Sequence, residues 1–468
     1  MSETDTRDAH VQVIESNFDE DDRLKPEFVR GIIDLLHDGE TGEVRTRVEP
    51  LHPADIADLF ELAPAEMRQP LAMALSDLLD GDVLAEMNDY VREALIDELD
   101  PHQVAEIATQ LDTDDAVAII EDMEELEQRA VLRALAPDDR AAIEEALSYP
   151  EESAGRLMQR ELIAVPEHWT VGQVIDYLRE HRELTTDFWE IFVTDPGHKP
   201  IGTCKLSWVL RTPRNIKMAD VMQREQSLIP VDMDQEEVAL RFQKYALISA
   251  AVVDGDGRLV GMITVDDIVH IIQEEASEDI LKLSGAGEGD INEPIFMTVR
   301  TRLTWLVVNL GTAIIAASVV GMFQGEIARF ALLAVLMPIV SGMGGNAGTQ
   351  TLAVVVRALA TNQLTSSNSV RMVMREFMIA LCNGAALATL IGASVGLLYG
   401  NPTLGIVIGA AMVINNLVAG LSGILVPVTL EKFEIDPAVS SAVFVTMMTD
   451  VMGFFSFLGL ASLAGLAG

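Results

Sequence analysis

A single carboxylate, Asp450, interrupts the apolar stretch Val443–Gly465, VFVTMMTDVMGFFSFLGLASLAG. Every other residue there is apolar, small or hydroxylated. A window of that length and apolarity predicts a transmembrane helix. A charge inside such a helix costs at least ~2.5–3.5 kcal/mol, so it faces a bundle interior or a water-filled path. Asp450 therefore pairs with a buried cation, stays protonated, or ligates a cation in a pore. No basic residue lies in a neighbouring apolar span, which favours the pore ligand. Neutral oxygens stand in two further apolar stretches. The segment Pro338–Thr351, PIVSGMGGNAGTQT, carries Asn346, Thr349 and Gln350, and Asn415 and Asn416 form a polar pair later. Such groups either ligate an ion or hydrogen-bond between helices, and the glycines among them allow close helix approach or a break beside a cavity.

The elements that would position these groups are five spans predicted by window hydropathy: Leu303–Phe323, Phe330–Val356, Phe377–Tyr399, Leu404–Leu430 and Val439–Leu466. Arg300, Arg302, Arg357, Arg371, Arg375 and Lys432 flank them on one side and Arg329 on the other. This bias predicts a multi-pass protein of the cell (inner) membrane with a cytoplasmic N-terminus and an outside C-terminus. Asp450 then lies fourteen residues past Asp436. That is ~21 Å along a helix, deep in a ~30 Å hydrocarbon core and beyond the reach of snorkelling.

The charge is divided unevenly. The chain of 468 residues has a net charge of −41. From Arg300 onward there are seven basic and six acidic residues, whereas Met1–Val299 holds 67 acidic against 25 basic, or −42. An acidic half of this kind excludes nucleic-acid phosphates as partners and suits cations. It also fits a generic solubilising surface. Cys204 and Cys382 stand far apart, so no disulfide framework or thiolate metal site is expected. The start of the chain has no apolar signal segment, so the acidic half is expected in the cytoplasm. No P-loop, HExxH or GxSxG motif occurs, so no enzyme is expected.

Within the acidic half, residues 1–24 read as a disordered acidic tail. From residue 25 to about 150, short units follow one another, among them HPADIADLFEL, DPHQVAEIATQL and DTDDAVAIIEDM. Their apolar residues recur three and four apart behind Pro or Asp, and Asp112 and Thr113 are candidate N-caps. Such units must stack into an α-superhelical domain. Then the pattern becomes strand and helix. Leu162–Val165 and Ile191–Thr194 read as strands around a helix at Thr170–His181. A clearer second copy runs strand, helix Asp234–Tyr245, strand Ala250–Val253, a DGDG turn, strand Leu259–Thr264 and helix Val265–Glu275. The stretch VVDGDGRLVGMITVDDI resembles a CBS domain, and FVTDPGHKPIGTCKLSWVL a degenerate first copy. That resemblance implies a ligand-sensing pair, often one for adenine nucleotides, with ATP as the candidate cofactor. A connecting segment, EEASEDILKLS, follows at Glu274–Ser284. Its Glu275, Glu278 and Asp279 share one helix face, where like charges repel unless neutralised.

The order of parts and three motifs, PIVSGMGGNAGTQTLAVVVRALA, EASEDILKL and DPA followed by TDVMGFF, resemble the MgtE magnesium channels or transporters. The resemblance implies a multidomain protein: an α-superhelical N-domain (25–150), an α/β CBS pair (151–218 and 219–273), a plug or connecting helix (274–302) and an all-α transmembrane domain of five helices (303–468). It implies a homodimer with one pore between membrane domains and Mg²⁺ as the ion. Asp450 would form the central site through the ion's water shell, with the Thr446 and Gly453 carbonyls lining it and Asn346 and Asn416 among the pore-lining groups. Mg²⁺ held by Glu236, Asp267, Glu275, Glu278, Asp279, Asp436 and Asp114 would close the pore. Ala118, Ala246 and His270 stand where some members have Asp, and Ala442 and Val443 where some have Asn and Pro. Fewer regulatory ions or a shifted threshold would follow. The Met447–Met448 pair would favour softer metals if it faced the pore. Two other readings stay open: an ion-coupled Co²⁺ or Ni²⁺ carrier, and a membrane metal sensor that does not transport. The scarcity of other intramembrane carboxylates argues against a proton relay.

Overall fold

The computed structural model describes residues 17–121, 123–181, 188–285, 292–364, 368–433, 435–439 and 441–466. The chain divides between Gln273 and Glu274 into two compact units.

In the first unit the described residues up to Ala146 form ten short helices, from α1 (Pro26–His37) to α10 (Pro137–Ala146), with α8 at Thr113–Glu121. Proline opens several of them, where its missing N–H and fixed φ are harmless. Short helices cannot each bury a core, so they share one built on Leu59, Phe60, Val91, Ile119 and Ile120. Residues 17–24, expected within the polar tail, differ from that expectation. Phe18 bridges Leu24, and Leu24 is buried in the helical core. A single well-placed leucine outweighs the local acidity there.

Two three-stranded sheets follow, interleaved with helices α11 (Val171–Glu180), α12 (Leu206–Arg211), α13 (Met218–Val221) and α14 (Gln235–Tyr245). The first sheet has β1 (Ala164–Pro166), β2 (Glu190–Thr194) and β3 (Pro200–Lys205); the second has β4 (Leu228–Pro230), β5 (Ser249–Val253) and β6 (Leu259–Thr264). In each, the first pair is parallel and the second antiparallel, and the register shifts at the same place, Val193/Thr194 and Val252/Val253. The degenerate copy thus keeps the topology of the clear one. Each copy's leading segment also bridges the other's last strand, Gln159 to Met262 and Gln223 to Thr203. Phe192, Ala251, Leu259 and Met262 fill the space between the sheets.

The last CBS helix does not stop near Glu275. Helix α15 runs unbroken from Val265 to Ser284 and contains the expected connecting segment. No Gly or Pro interrupts it until Gly285, which ends it with φ 66°.

In the second unit, five helices are long and apolar enough to cross a membrane: α16 (Ile295–Met322), α18 (Leu332–Ala360), α19 (Ser369–Leu398), α20 (Pro402–Lys432) and α21 (Ser441–Leu463). A short α17 (Gln324–Arg329) joins the first two. The glycine-rich stretch of α18 is helical throughout despite Pro338. Its small residues serve close approach rather than a break. Helix α20 is the hub, packing against α18, α19 and α21, and 61% of its most apolar window is buried.

Candidate functional site

Asp450 lies on α21, half-buried, and accepts a short hydrogen bond from the Ser341 hydroxyl of α18. No ion pair to Asp450 occurs among the described residues. One turn before and one after, the expected carbonyls of Thr446 and Gly453 accept the hydroxyls of Thr449 at 2.9 Å and Ser456 at 3.1 Å. Each carbonyl keeps a second lone pair.

Asn415 braces this site. It is fully buried on α20, and its Nδ2 donates to the Val340 carbonyl at 2.8 Å. Glycines flank it on both sides. A Cβ on Gly344 would lie 2.0 Å from Asn415 Nδ2, and one on Gly453 2.8 Å from the same atom. The amide therefore ties α18, α20 and α21 together beside Asp450. Gly344→Ala is expected to destabilise the membrane half by about 2–3 kcal/mol, because the side chain it strikes has nowhere to move. Adding Asn415→Ala should recover most of the loss, which a thermal double-mutant cycle on purified protein would measure.

The adjacent Asn416 points elsewhere. Neighbours on a helix diverge by about 100°, and Asn416 lines a separate cavity between α18, α19 and α20. The structure thus does not bring Asn416 together with Asp450; Asn415 takes that place. Asn346 is exposed on α18, on a stripe with Gly342 and Thr349.

At the end of α15, Lys282 Nζ stands 2.5 Å from Glu278 Oε1 and 3.0 Å from Asp436 Oδ2. Asp436 also accepts the Ala438 N–H at 2.7 Å, shaping the turn before α21. Burial pushes the Asp279 carboxyl above its ordinary range, and Asp436 adds repulsion. Burial opposes the charge on Lys282, yet Glu278 and Asp436 outweigh it and hold the ammonium strongly protonated. Leu283 packs with Leu352, Val356, Ala438 and Val445, so apolar contact as well as charge docks this helix end. Glu275 is half-buried one turn earlier.

In the first unit, Asp114 and Asp267 meet. The start of α8 is capped from a distance: Thr113 donates its N–H and hydroxyl to Glu161 at 3.2 and 2.8 Å. Asp267 accepts the Thr264 hydroxyl at 2.7 Å. Asp114 Oδ1 is buried without a hydrogen-bond partner. Burial, then repulsion from Asp267, lifts Asp114 well above the usual carboxylate range and Asp115 to about 7. Burial lifts Asp267 to about 6, against the Thr264 hydrogen bond. An orphaned oxygen between mutually repelling carboxylates fits a hard cation. Glu236 stands in the first turn of α14. Among the described residues, no three His, Cys, Asp or Glu side chains converge as a ready-made metal cage.

These acids hold protons more tightly when folded than in an unfolded chain, where Asp titrates near ~3.9. Their contribution to stability is therefore present below that value and is lost as pH rises through about 6 and about 7. In metal-free buffer, amide protection across 113–121 should fall between about pH 5 and pH 8, and Mg²⁺ should restore it at the higher pH.

Three family models match the chain. That described as the MgtE intracellular N domain covers residues 51–152, the CBS domain 218–274, and MgtE, a divalent cation transporter, 337–460. The Thermus thermophilus protein named magnesium transporter MgtE is 30% identical over 439 residues, 92% of this chain and 97% of its own. The chain belongs to the MgtE family. Its Bacillus subtilis relative of the same name is 28% identical over 440 residues, covering 93% of this chain and 97% of the relative. A crystal structure of the cytosolic domain of the Mg²⁺ channel MgtE in complex with ATP overlaps 52% of this chain and 99% of its own, at 28% identity and a TM-score of 0.48. The MgtE transporter match takes in Ser341, Asn415, Asn416 and Asp450, and the N-domain and CBS matches take in Asp114, Glu236 and Asp267. It also takes in a buried carboxylate that the span prediction left outside the membrane helices. Glu376 is 5% exposed on α19, which begins seven residues before it at Ser369.

Proposed function

We propose that this MgtE-family chain carries Mg²⁺ into the cell through its membrane half and is closed by cytoplasmic Mg²⁺ acting on its acidic half. The observation that carries the reading is Asp450, a mid-span carboxylate whose recorded partner is a hydroxyl. Mg²⁺ dehydrates reluctantly and is commonly held through one or two carboxylates with its waters in place. Asp450, with the Ser341 hydroxyl and the Thr446 and Gly453 carbonyls, suits a hydrated ion passing through. The relatives' names support Mg²⁺ as the ion.

A homodimer places this site against its copy. The exposed Asn346 amide on α18, flanked by the small residues Gly342 and Thr349, supports that arrangement, since an exposed amide is poorly suited to lipid and small residues favour helix contact. Closure rests on two carboxylate groups. Glu278, Asp279 and Asp436, with Glu275 beside them, would hold Mg²⁺ at the plug, while Asp114 and Asp267, with Glu236 elsewhere in the CBS pair, would hold it in the first unit. Without divalent ions the acidic half repels itself; the state that binds them better is the closed one.

The test is Mg²⁺ flux into liposomes holding purified protein, with Mg²⁺ varied on the side of the acidic half. Flux that falls as this Mg²⁺ rises is expected. Flux that follows a proton gradient and ignores Mg²⁺ on that side would replace this reading with a coupled carrier.

A further inference from the structure

Glu376 is not explained by the pathway through Asp450. It lines a cavity of about 200 Å³ with Gln350 and Thr351 of α18, Arg375 and Asn383 of α19 and Asn416 of α20. Two of these side chains are buried and underused. Asn416 is 1% exposed, its Nδ2 is committed to the Met412 carbonyl at 2.9 Å, and its Oδ1 has no hydrogen-bond partner. Glu376 receives the Thr351 hydroxyl only at 3.4 Å, beyond the 2.5–2.7 Å of a strong hydroxyl–carboxylate bond. No ion pair to Glu376 occurs among the described residues, although Arg375 lies at the cavity and is exposed. A carboxylate buried in a membrane span without a strong donor or a direct ion pair is stabilised by a proton or a cation.

We propose that this cavity binds one monovalent cation of sodium's size, held by Glu376 with the Thr351 hydroxyl and the Asn416 Oδ1. Three observations select that ion. The donors are all hard oxygens, which exclude soft metals. The 3.4 Å between Thr351 Oγ1 and Glu376 Oε2 matches neighbouring ligands of an octahedral ion with bonds of about 2.4 Å; bonds of ~2.0–2.1 Å, as for Mg²⁺, would bring them to about 2.9 Å. One carboxylate neutralises one positive charge, and Arg375 nearby further disfavours a divalent ion. The bound cation would join α18, α19 and α20 on a different face of α20 from the Asn415 brace. This inference does not depend on whether the chain conducts Mg²⁺.

The test is thermal unfolding of the full chain in detergent with chelator, comparing NaCl with choline chloride at equal ionic strength. NaCl is expected to raise the melting temperature by about 3 °C or more, saturably. Glu376→Gln should abolish the increment. Arg375→Gln, at an exposed position that leaves the fold intact, should lower the half-saturating Na⁺ several-fold, on the order of three- to tenfold. Equal melting in the two salts, an increment retained in Glu376→Gln, or an unchanged half-saturation in Arg375→Gln would each overturn the site. An increment produced by MgCl₂ and absent with NaCl would overturn the monovalent assignment.

Discussion

Asp450→Asn is expected to lower Mg²⁺ flux into liposomes about 100-fold or more while leaving melting temperature and oligomeric state unchanged. At an effective dielectric of ~20, a doubly charged ion held ~5 Å away through one water layer gains on the order of 6 kcal/mol from a carboxylate. Half of that is already about a 100-fold change in occupancy. The Asn side chain has nearly the same shape and can still bond to Ser341, so packing is preserved. Removing a lone charge from a membrane span is, if anything, stabilising. A structural role for Asp450 would give the opposite pattern, with weakened folding and residual flux in the surviving protein. Ser341→Ala should be milder, a few-fold loss, because it removes one neutral hydrogen bond and leaves the charge.

How far the sequence revealed this site depended on whether the signal lay in residue type or in facing. Asp450 was legible because one carboxylate in a long apolar window has few physical explanations. Asn415 and Asn416 were legible as polar, but not which neighbouring helices each one faces. That depends on which helix presents glycine to which side chain, as Gly344 and Gly453 do to Asn415. Glu376 was hidden by its neighbours. Arg371, Arg375 and Glu376 depress the hydropathy window, so the predicted span began at Phe377. A signal was nonetheless present: Ala380 and Gly384 follow at four-residue steps and pack against Gly420 and Val413 of α20, placing Glu376 on the same inward face. Strand β3, PIGTCK, was weak by composition, with Pro, Gly and Lys in six residues. Alignment with its repeat partner LVGMIT would have found it. The change from CBS motif to acidic segment suggests a break near Glu275, yet nothing in Val265–Ser284 stops a helix.

Lys282→Met should lower the Mg²⁺ concentration that half-closes the pore on the order of tenfold. The Lys282 ammonium lies between Glu278 and Asp436, at 2.5 and 3.0 Å, where the closing ion would bind. On the proposed function Mg²⁺ would have to displace this tethered cation, and the lysine would act as a competitor built into the plug. Methionine keeps the length and the apolar stem but not the charge, and Leu283 retains its packing against Leu352, Val356, Ala438 and Val445. The vacated carboxylates, with Asp279 already raised by burial and by its neighbour Asp436, would repel one another more at zero Mg²⁺ and bind the ion more tightly when it is present. Neutralising Glu275, Glu278 and Asp279 together should move the threshold the other way, since it removes ligands and leaves Lys282 paired to Asp436. The opposite signs separate the two possible roles. If both variants raise the Mg²⁺ needed for closure, Lys282 is a structural strut and the ion binds elsewhere; if Lys282→Met lowers it, the plug is a site where lysine and Mg²⁺ exchange.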